Sequence, residues 1–198
     1  MLYSIAHMAS RVLTKILFFL HVDGGENIPK TGGVILCANH RSCWDAVLIS
    51  ACMRRPLAAI GKEELFQNKL FAFVLRKLNC YPVKRGGGDL GVVKTAISLL
   101  QKGEALLIFP EGERIRKGKT PNPKPGAFRL AQMTGVPLVP MGIGGNFRLF
   151  RKMRIRVGTP IDMTGEKGIR YTDAEYREKI GSIMQSIYDM AETEQNHV

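Results

Sequence analysis

The sequence predicts an α/β fold, with a largely parallel sheet flanked by helices and an amphipathic helix at the N-terminus. Three observations point there. Short apolar runs at residues 34–38, 57–60, 105–109 and 138–143 read as strands buried on both faces, the habit of parallel sheets. Segments of helical periodicity separate these runs, and alternation of the two kinds of element is the mark of α/β architecture. The chain has 198 residues, 45% of them hydrophobic, and no long Pro/Gly/Ser stretch divides it, so one substantial core is expected rather than two full domains or a disordered chain.

Residues 1–20 form the first element. They are apolar except for Ser4, His7, Ser10, Arg11, Thr14 and Lys15, whose steps of three, three, one, three and one fall on one helical face. Two cations in mid-segment make crossing a bilayer costly. Central charges and a Phe18-Phe19-Leu20 end do not fit a cleavable signal, which begins with charge and ends with small residues. The pattern suits a helix lying in the bilayer interface. A helix packed on the protein's own core would show the same pattern.

A turn-rich loop over residues 24–33 leads into the strand at 34–38. Helices are expected at 45–52 and 63–78, the latter from the recurrence of Leu65, Phe66, Leu70, Phe73, Val74 and Leu78. A short strand at 81–83 precedes a helix at 90–101, with Asp89 as its N-cap. After the strand at 105–109, a Pro-containing surface loop over 120–126 leads to a helix at 127–133 that ends near Gly135. Strands at 138–143 and 155–157 follow. Thr172, with Glu175 three residues on, caps a final helix over 172–192.

Twenty-nine Lys and Arg against 17 Asp and Glu give a formal charge of +12. Such a balance implies an anionic partner: nucleic acid, an anionic bilayer or a phosphorylated substrate. No zinc-finger or RNP pattern supports nucleic acid, and the basic clusters at 114–124 and 148–156 suit anionic lipid equally well. The four cysteines lack CxxC spacing and the histidines complete no zinc pattern, so free thiols are expected and no metal.

Two blocks carry the chemistry. Asn39-His40-Arg41-Ser42-Cys43-Trp44-Asp45 follows the first buried strand, where α/β proteins place their ligands. On one regular helix His40 and Asp45 would point about 140° apart. They meet only if a turn intervenes and Asp45 opens the next helix, with Ser42 a possible cap. A carboxylate on one imidazole nitrogen fixes the tautomer and frees the other nitrogen to accept a proton. An isolated pair at this spacing is more often a satisfied, hydrogen-bonded His at a strand end. The second block, Phe109-Pro110-Glu111-Gly112-Glu113-Arg114, also follows a strong strand. Alone it reads as a solvated loop salt bridge. Cys43 could suggest a thiol nucleophile, although an idle thiol is the plainer reading.

Together the blocks resemble the glycerolipid acyltransferase family, and within it the 1-acylglycerol-3-phosphate acyltransferases. Lys62-Glu63-Glu64-Leu65-Phe66, Val83-Lys84-Arg85 and Val136-Pro137-Leu138-Val139-Pro140 are similar to further blocks of that family in order and spacing, and the resemblance spans residues 24–158. With residues 1–20 read from their own pattern as a membrane-surface helix, it implies an acyltransferase domain over 21–198 on the cytoplasmic face of the membrane; the family's membrane-binding element is often a two-helix unit, and one candidate helix precedes the loop here. It implies His40 as general base, Asp45 behind it, Lys62, Arg85 and Arg114 on the acceptor phosphate, and Glu111 with Gly112 helping to position the acceptor. The expected substrates are lysophosphatidic acid and a thioester of coenzyme A or acyl carrier protein, with no cofactor. Glu113 and Ile115 depart from the pattern, which has Thr or Ser and then Ser at those places.

One rival is a nucleotide-binding module. Gly86-Gly87-Gly88-Asp89-Leu90-Gly91 satisfies GxGxxG between a strand and a helix, and Glu111 follows at about the interval of a ribose-binding acid. A Gly-rich turn before a helix is its ordinary alternative. No Gly-x-Ser-x-Gly supports a serine lipase.

Overall fold

The computed structural model describes residues 2–83, 90–115 and 120–192, with the side chains of residues 2–4, 6, 62 and 71 set aside. The helices are α1 (Leu2–Phe18), α2 (Asp45–Cys52), α3 (Lys69–Lys77), α4 (Leu90–Gln101), α5 (Gly126–Thr134) and α6 (Asp173–Glu192). The strands are β1 (His21–Asp23), β2 (Val34–Ala38), β3 (Leu57–Lys62), β4 (Cys80–Val83), β5 (Ala105–Ile108), β6 (Leu138–Gly145) and β7 (Met153–Val157). They form a seven-stranded sheet in the order β1-β7-β6-β2-β5-β3-β4. Every neighbouring pair is parallel except β6 and β7, so the largely parallel sheet expected from the apolar runs is what the chain builds.

β2 lies in the middle, between β5 and β6, and all five of its residues are buried. Its side chains feed two cores in alternation. Val34, Leu36 and Ala38 join Phe18 of α1 and Leu48, Ile49 and Met53 of the α2 segment. Ile35 and Cys37 join residues of α4, α5 and α6 on the other side. Loops leaving β2 and β5 therefore turn to opposite faces, α2 to one and α5 to the other. That divergence makes the C-terminal ends of β2 and β5 a topological switch point, the crevice where open α/β sheets bind ligands. Both chemical blocks emerge there.

Several expected elements change in detail. The helix foreseen over 63–78 is broken into a 3₁₀ turn, Glu63–Phe66, and α3, because the Asn68 carboxamide accepts the Leu70 N–H at 3.0 Å and starts a new helix. β6 and β7 outrun the expected strands because they pair antiparallel from Met141↔Val157 to Gly145↔Met153. β1, three residues at the sheet edge, was not foreseen. Thr172 and Glu175 do cap α6: the Thr172 N–H donates to Glu175 Oε2 at 2.7 Å and the Glu175 N–H to Thr172 Oγ1 at 3.3 Å. Gly135 ends α5 at φ 72°. Asp89, the expected cap of α4, lies outside the described residues.

α1 turns the reverse of a soluble helix. His7, Ser10 and Thr14 face the protein, with His7 Nε2 2.9 Å from the Ser50 carbonyl oxygen and Thr14 Oγ1 donating to the Ser10 carbonyl at 2.7 Å. Ile5, Met8, Val12, Leu13 and Ile16 point outward, each more than half exposed. Among the described residues no helix is long and apolar enough to cross a membrane.

Candidate active site

The site begins with Asn39, just past the last residue of β2 and 2% exposed. Its carboxamide donates to the Ile143 carbonyl at 3.1 Å and accepts the Ile143 N–H at 2.7 Å. Two bonds to one residue of β6 imitate a strand pairing after β2 has ended. They fix where the chain leaves the sheet, and hence where His40 stands.

Residues 41–44 then turn, and Asp45 opens α2, as the five-residue spacing requires. His40 Nδ1–H donates to Asp45 Oδ2 at 2.8 Å. The same oxygen accepts the N–H groups of Arg41 at 2.7 Å and Ser42 at 2.8 Å. Asp45 is wholly buried, while the His40 side chain is 22% exposed. The Asp45 Oδ1 atom has no hydrogen-bond partner among the described residues, so the carboxylate's bonds converge on the oxygen that faces the imidazole. Phe109 stacks on the His40 ring, centroids 4.1 Å apart and planes 14° from parallel. The ring is held by edge and by face, and its Nε2 has no protein partner among the described residues. Such an imidazole can accept a proton from a molecule in the crevice.

The second block reaches the same place from β5. Glu111, 6% exposed, accepts the His40 backbone N–H on Oε2 at 2.5 Å and the Tyr188 hydroxyl on Oε1 at 2.9 Å. Burial raises its pKa above the ordinary carboxylate value, against the opposing effect of those two hydrogen bonds and the nearby imidazole. Burial and then the Glu111 charge push the Tyr188 phenol upward. The Ile115 N–H donates to the His40 carbonyl at 2.9 Å, so both backbone polar groups of His40 are tied to the loop after β5. Because residue 115 contributes its backbone, the departure to Ile there leaves this contact intact.

Gly112 takes φ 72°, and a Cβ built on it would lie 3.7 Å from Lys124 Nζ. The turn thus brings Lys124, an exposed lysine of the 114–124 basic cluster that was not among the expected phosphate ligands, beside Gly112. Arg114 and Glu113 are exposed on the same loop. Arg85 and the Lys62 side chain lie outside the described residues. Cys43 is exposed on the turn and has no hydrogen bond to His40 among the described residues.

The acyltransferase family model matches residues 19–144, well over half of the chain and both blocks. The chain belongs to the acyltransferase family. This acyltransferase is 31% identical over 166 residues to a 1-acyl-sn-glycerol-3-phosphate acyltransferase of Bacillus subtilis, covering 81% of its own chain and 82% of that one. It is 33% identical over 135 residues to a protein of the same name from Pseudomonas aeruginosa, covering 67% of its own chain and 51% of that one. The crystal structure of the 1-acyl-sn-glycerophosphate (LPA) acyltransferase of Thermotoga maritima superposes with a TM-score of 0.72 at 28% identity, over 94% of this chain and 78% of that one.

The family assignment disposes of the nucleotide-binding rival. In the sequence the glycine run follows β4, the edge strand of the acyltransferase sheet. Residues 86–89 of that run lie outside the described residues. Tyr188 was missed because it is 77 residues from its partner. Its one local signal is position: it follows Ile187 at the edge of the buried stripe Ile180, Ile183, Met184, Ile187 and Ala191, and a tyrosine there needs a partner for its hydroxyl.

Proposed function

We propose that this acyltransferase is a 1-acyl-sn-glycerol-3-phosphate acyltransferase, which moves a fatty acyl group from a thioester to the free hydroxyl of lysophosphatidic acid and so makes phosphatidic acid. The observation that carries the reading is the His40 imidazole, tethered through Nδ1 to buried Asp45 with Nε2 left for substrate. Nε2 takes the hydroxyl proton as the acceptor oxygen forms a bond to the thioester carbonyl carbon. The carbon–sulfur bond then breaks, and the proton on His40 leaves with the thiol. Asp45 holds the tautomer and stabilises the imidazolium. Glu111, with both oxygens engaged inside the protein, acts on the acceptor through the placement of His40. The names of the similar proteins support the acceptor, and so do the exposed cations Arg114 and Lys124 on the loop after β5; Lys62 and Arg85 are assigned to the phosphate from the sequence blocks alone. Guanidinium groups bind phosphate oxygens in a bidentate fork.

The acceptor and the long-chain product are lipids, which suits a peripheral enzyme on the cytoplasmic face of an anionic membrane. The outward apolar stripe of α1, with Arg11 and Lys15 exposed beside it, supports residues 1–20 as an interfacial helix on an acyltransferase domain over 21–198. The test is transfer by purified protein to lysophosphatidic acid from acyl-CoA and from acyl carrier protein, with monoacylglycerol and lysophosphatidylcholine as competing acceptors. Phosphatidic acid as the preferred product is expected; preference for either other acceptor would overturn the assignment.

A further inference from the structure

β6 and β7 are joined by residues 146–152, Asn-Phe-Arg-Leu-Phe-Arg-Lys. Because β6 runs parallel to β2, this loop leaves the sheet at the same end as His40. At its tip Leu149 is 58% exposed and Phe150 60%, where turn tips usually carry small polar residues. Phe150 sits at φ 60°, a left-handed conformation that ordinarily selects Gly or Asn. Its N–H donates to the Leu17 carbonyl at 2.6 Å, satisfying one of the acceptors left open at the end of α1. The tip is thereby pinned beside Phe19, itself 53% exposed, and the outward stripe of α1.

Charge completes the description. Arg148, Arg151 and Lys152 are exposed around the tip and form no ion pair among the described residues. Two residues further on, Arg154 and Arg156 do pair, both with Asp23. No acidic residue occurs in 141–160. On its inner side the loop is anchored by Phe147, which packs on the core and lies under the Arg41 guanidinium, 5.7 Å from it.

We propose that the 146–152 loop is a second bilayer-docking element, with Leu149 and Phe150 inserted among the acyl chains beside α1 and the three cations at the level of anionic headgroups. The proposal rests on the reading of α1 as an interfacial helix and adds an orientation: the end of the sheet that carries His40, at the C-termini of β2 and β5, faces the lipid. The occupant is an anionic bilayer rather than a second copy of the chain for two reasons. A tip two residues wide is too small for the core of a stable dimer interface. Copies of a +12 chain repel one another, whereas an anionic leaflet attracts clustered Lys and Arg.

The test is co-sedimentation of the full chain with mixed phosphatidylglycerol–phosphatidylcholine vesicles and with phosphatidylcholine vesicles alone. Leu149→Ser/Phe150→Asn keeps a residue that tolerates the left-handed turn and should weaken binding about tenfold or more on both vesicles. Its melting temperature and its transfer to a short-chain, monomeric acceptor should be unchanged. Arg148→Gln/Arg151→Gln/Lys152→Gln should weaken binding to the mixed vesicles alone and flatten its salt dependence. Met8→Ser/Ile16→Ser tests α1 separately. Loss in the loop variants with none in the α1 variant would leave the loop as the docking element and overturn the reading of α1. Wild-type vesicle binding by the Leu149→Ser/Phe150→Asn protein would overturn the proposal, and doubly so if a dimer seen by sedimentation equilibrium dissociated instead.

Discussion

The hydroxyl of Tyr188 donates to Glu111 Oε1 at 2.9 Å, so the last helix of the chain steadies the loop that holds the His40 backbone. α6 reaches that far because β6 carries glycines beneath it. A Cβ on Gly142 would come within 2.8 Å of the Ile187 carbonyl oxygen, and one on Gly144 within 2.3 Å of the Ala191 carbonyl oxygen. Side chains at either place would lift α6 from the sheet and take Tyr188 from its partner.

Removing that hydroxyl should be felt in chemistry more than in binding. Tyr188→Phe keeps the ring and deletes a hydrogen bond to a charged group, worth about 1.5–3 kcal/mol, so kcat should fall roughly tenfold with KM little changed. Glu111 would lose the largest influence holding its pKa down. Its pKa should rise further, and the acid limb of the pH–rate profile should begin at higher pH. A variant with unchanged kcat and an unmoved acid limb would show that Tyr188 serves stability alone.

His40→Ala should reduce transfer by roughly two to four orders of magnitude while the protein stays folded. Asp45→Asn should cost less, because an amide oxygen can still accept from His40, Arg41 and Ser42. The amide nitrogen would then occupy the buried, unpartnered position of Oδ1, so about 1–3 kcal/mol of stability should go as well. Single-turnover rates and urea midpoints on both variants separate the two effects, and near-normal turnover by His40→Ala would sink the mechanism.

Asn39→Ala removes both partners of the Ile143 backbone from a buried site. Each group left unsatisfied costs about 1–3 kcal/mol, so the urea midpoint should drop clearly. Asn39→Asp should be no better, since a carboxylate cannot donate to the Ile143 carbonyl. If Asn39→Ala unfolds at the wild-type midpoint, the pairing contributes nothing.

Arg114→Ala should cut transfer efficiency toward lysophosphatidic acid roughly ten- to hundredfold, the loss of one charge-assisted phosphate contact. Arg114→Lys should recover part of it, because a point charge replaces a planar fork. The slow rate on monoacylglycerol should barely change. An equal loss on both acceptors would give Arg114 a structural role and leave the phosphate to other cations.

The sequence by itself determined what consecutive residues can determine. Continuous apolar runs marked β2, β3 and β5, because a strand buried on both faces has no polar position to alternate with. The meeting of His40 and Asp45 was legible because it needs five residues and one turn, and the Thr172–Glu175 cap because it needs four. Tertiary structure alone decided the rest. The direction in which α1 faces was open, since periodicity defines a stripe without saying what covers it; the contact of His7 with Ser50 of α2 and the burial of Thr14 go with an apolar side turned outward. β1 is three residues long and exists only through its pairing with β7. Lys124 reaches Gly112, and Tyr188 reaches Glu111, across loops and layers whose closeness depends on strand order and on glycines that let a helix approach. Such contacts join residues far apart in the chain, and no local pattern of side chains records which distant partner the fold will supply.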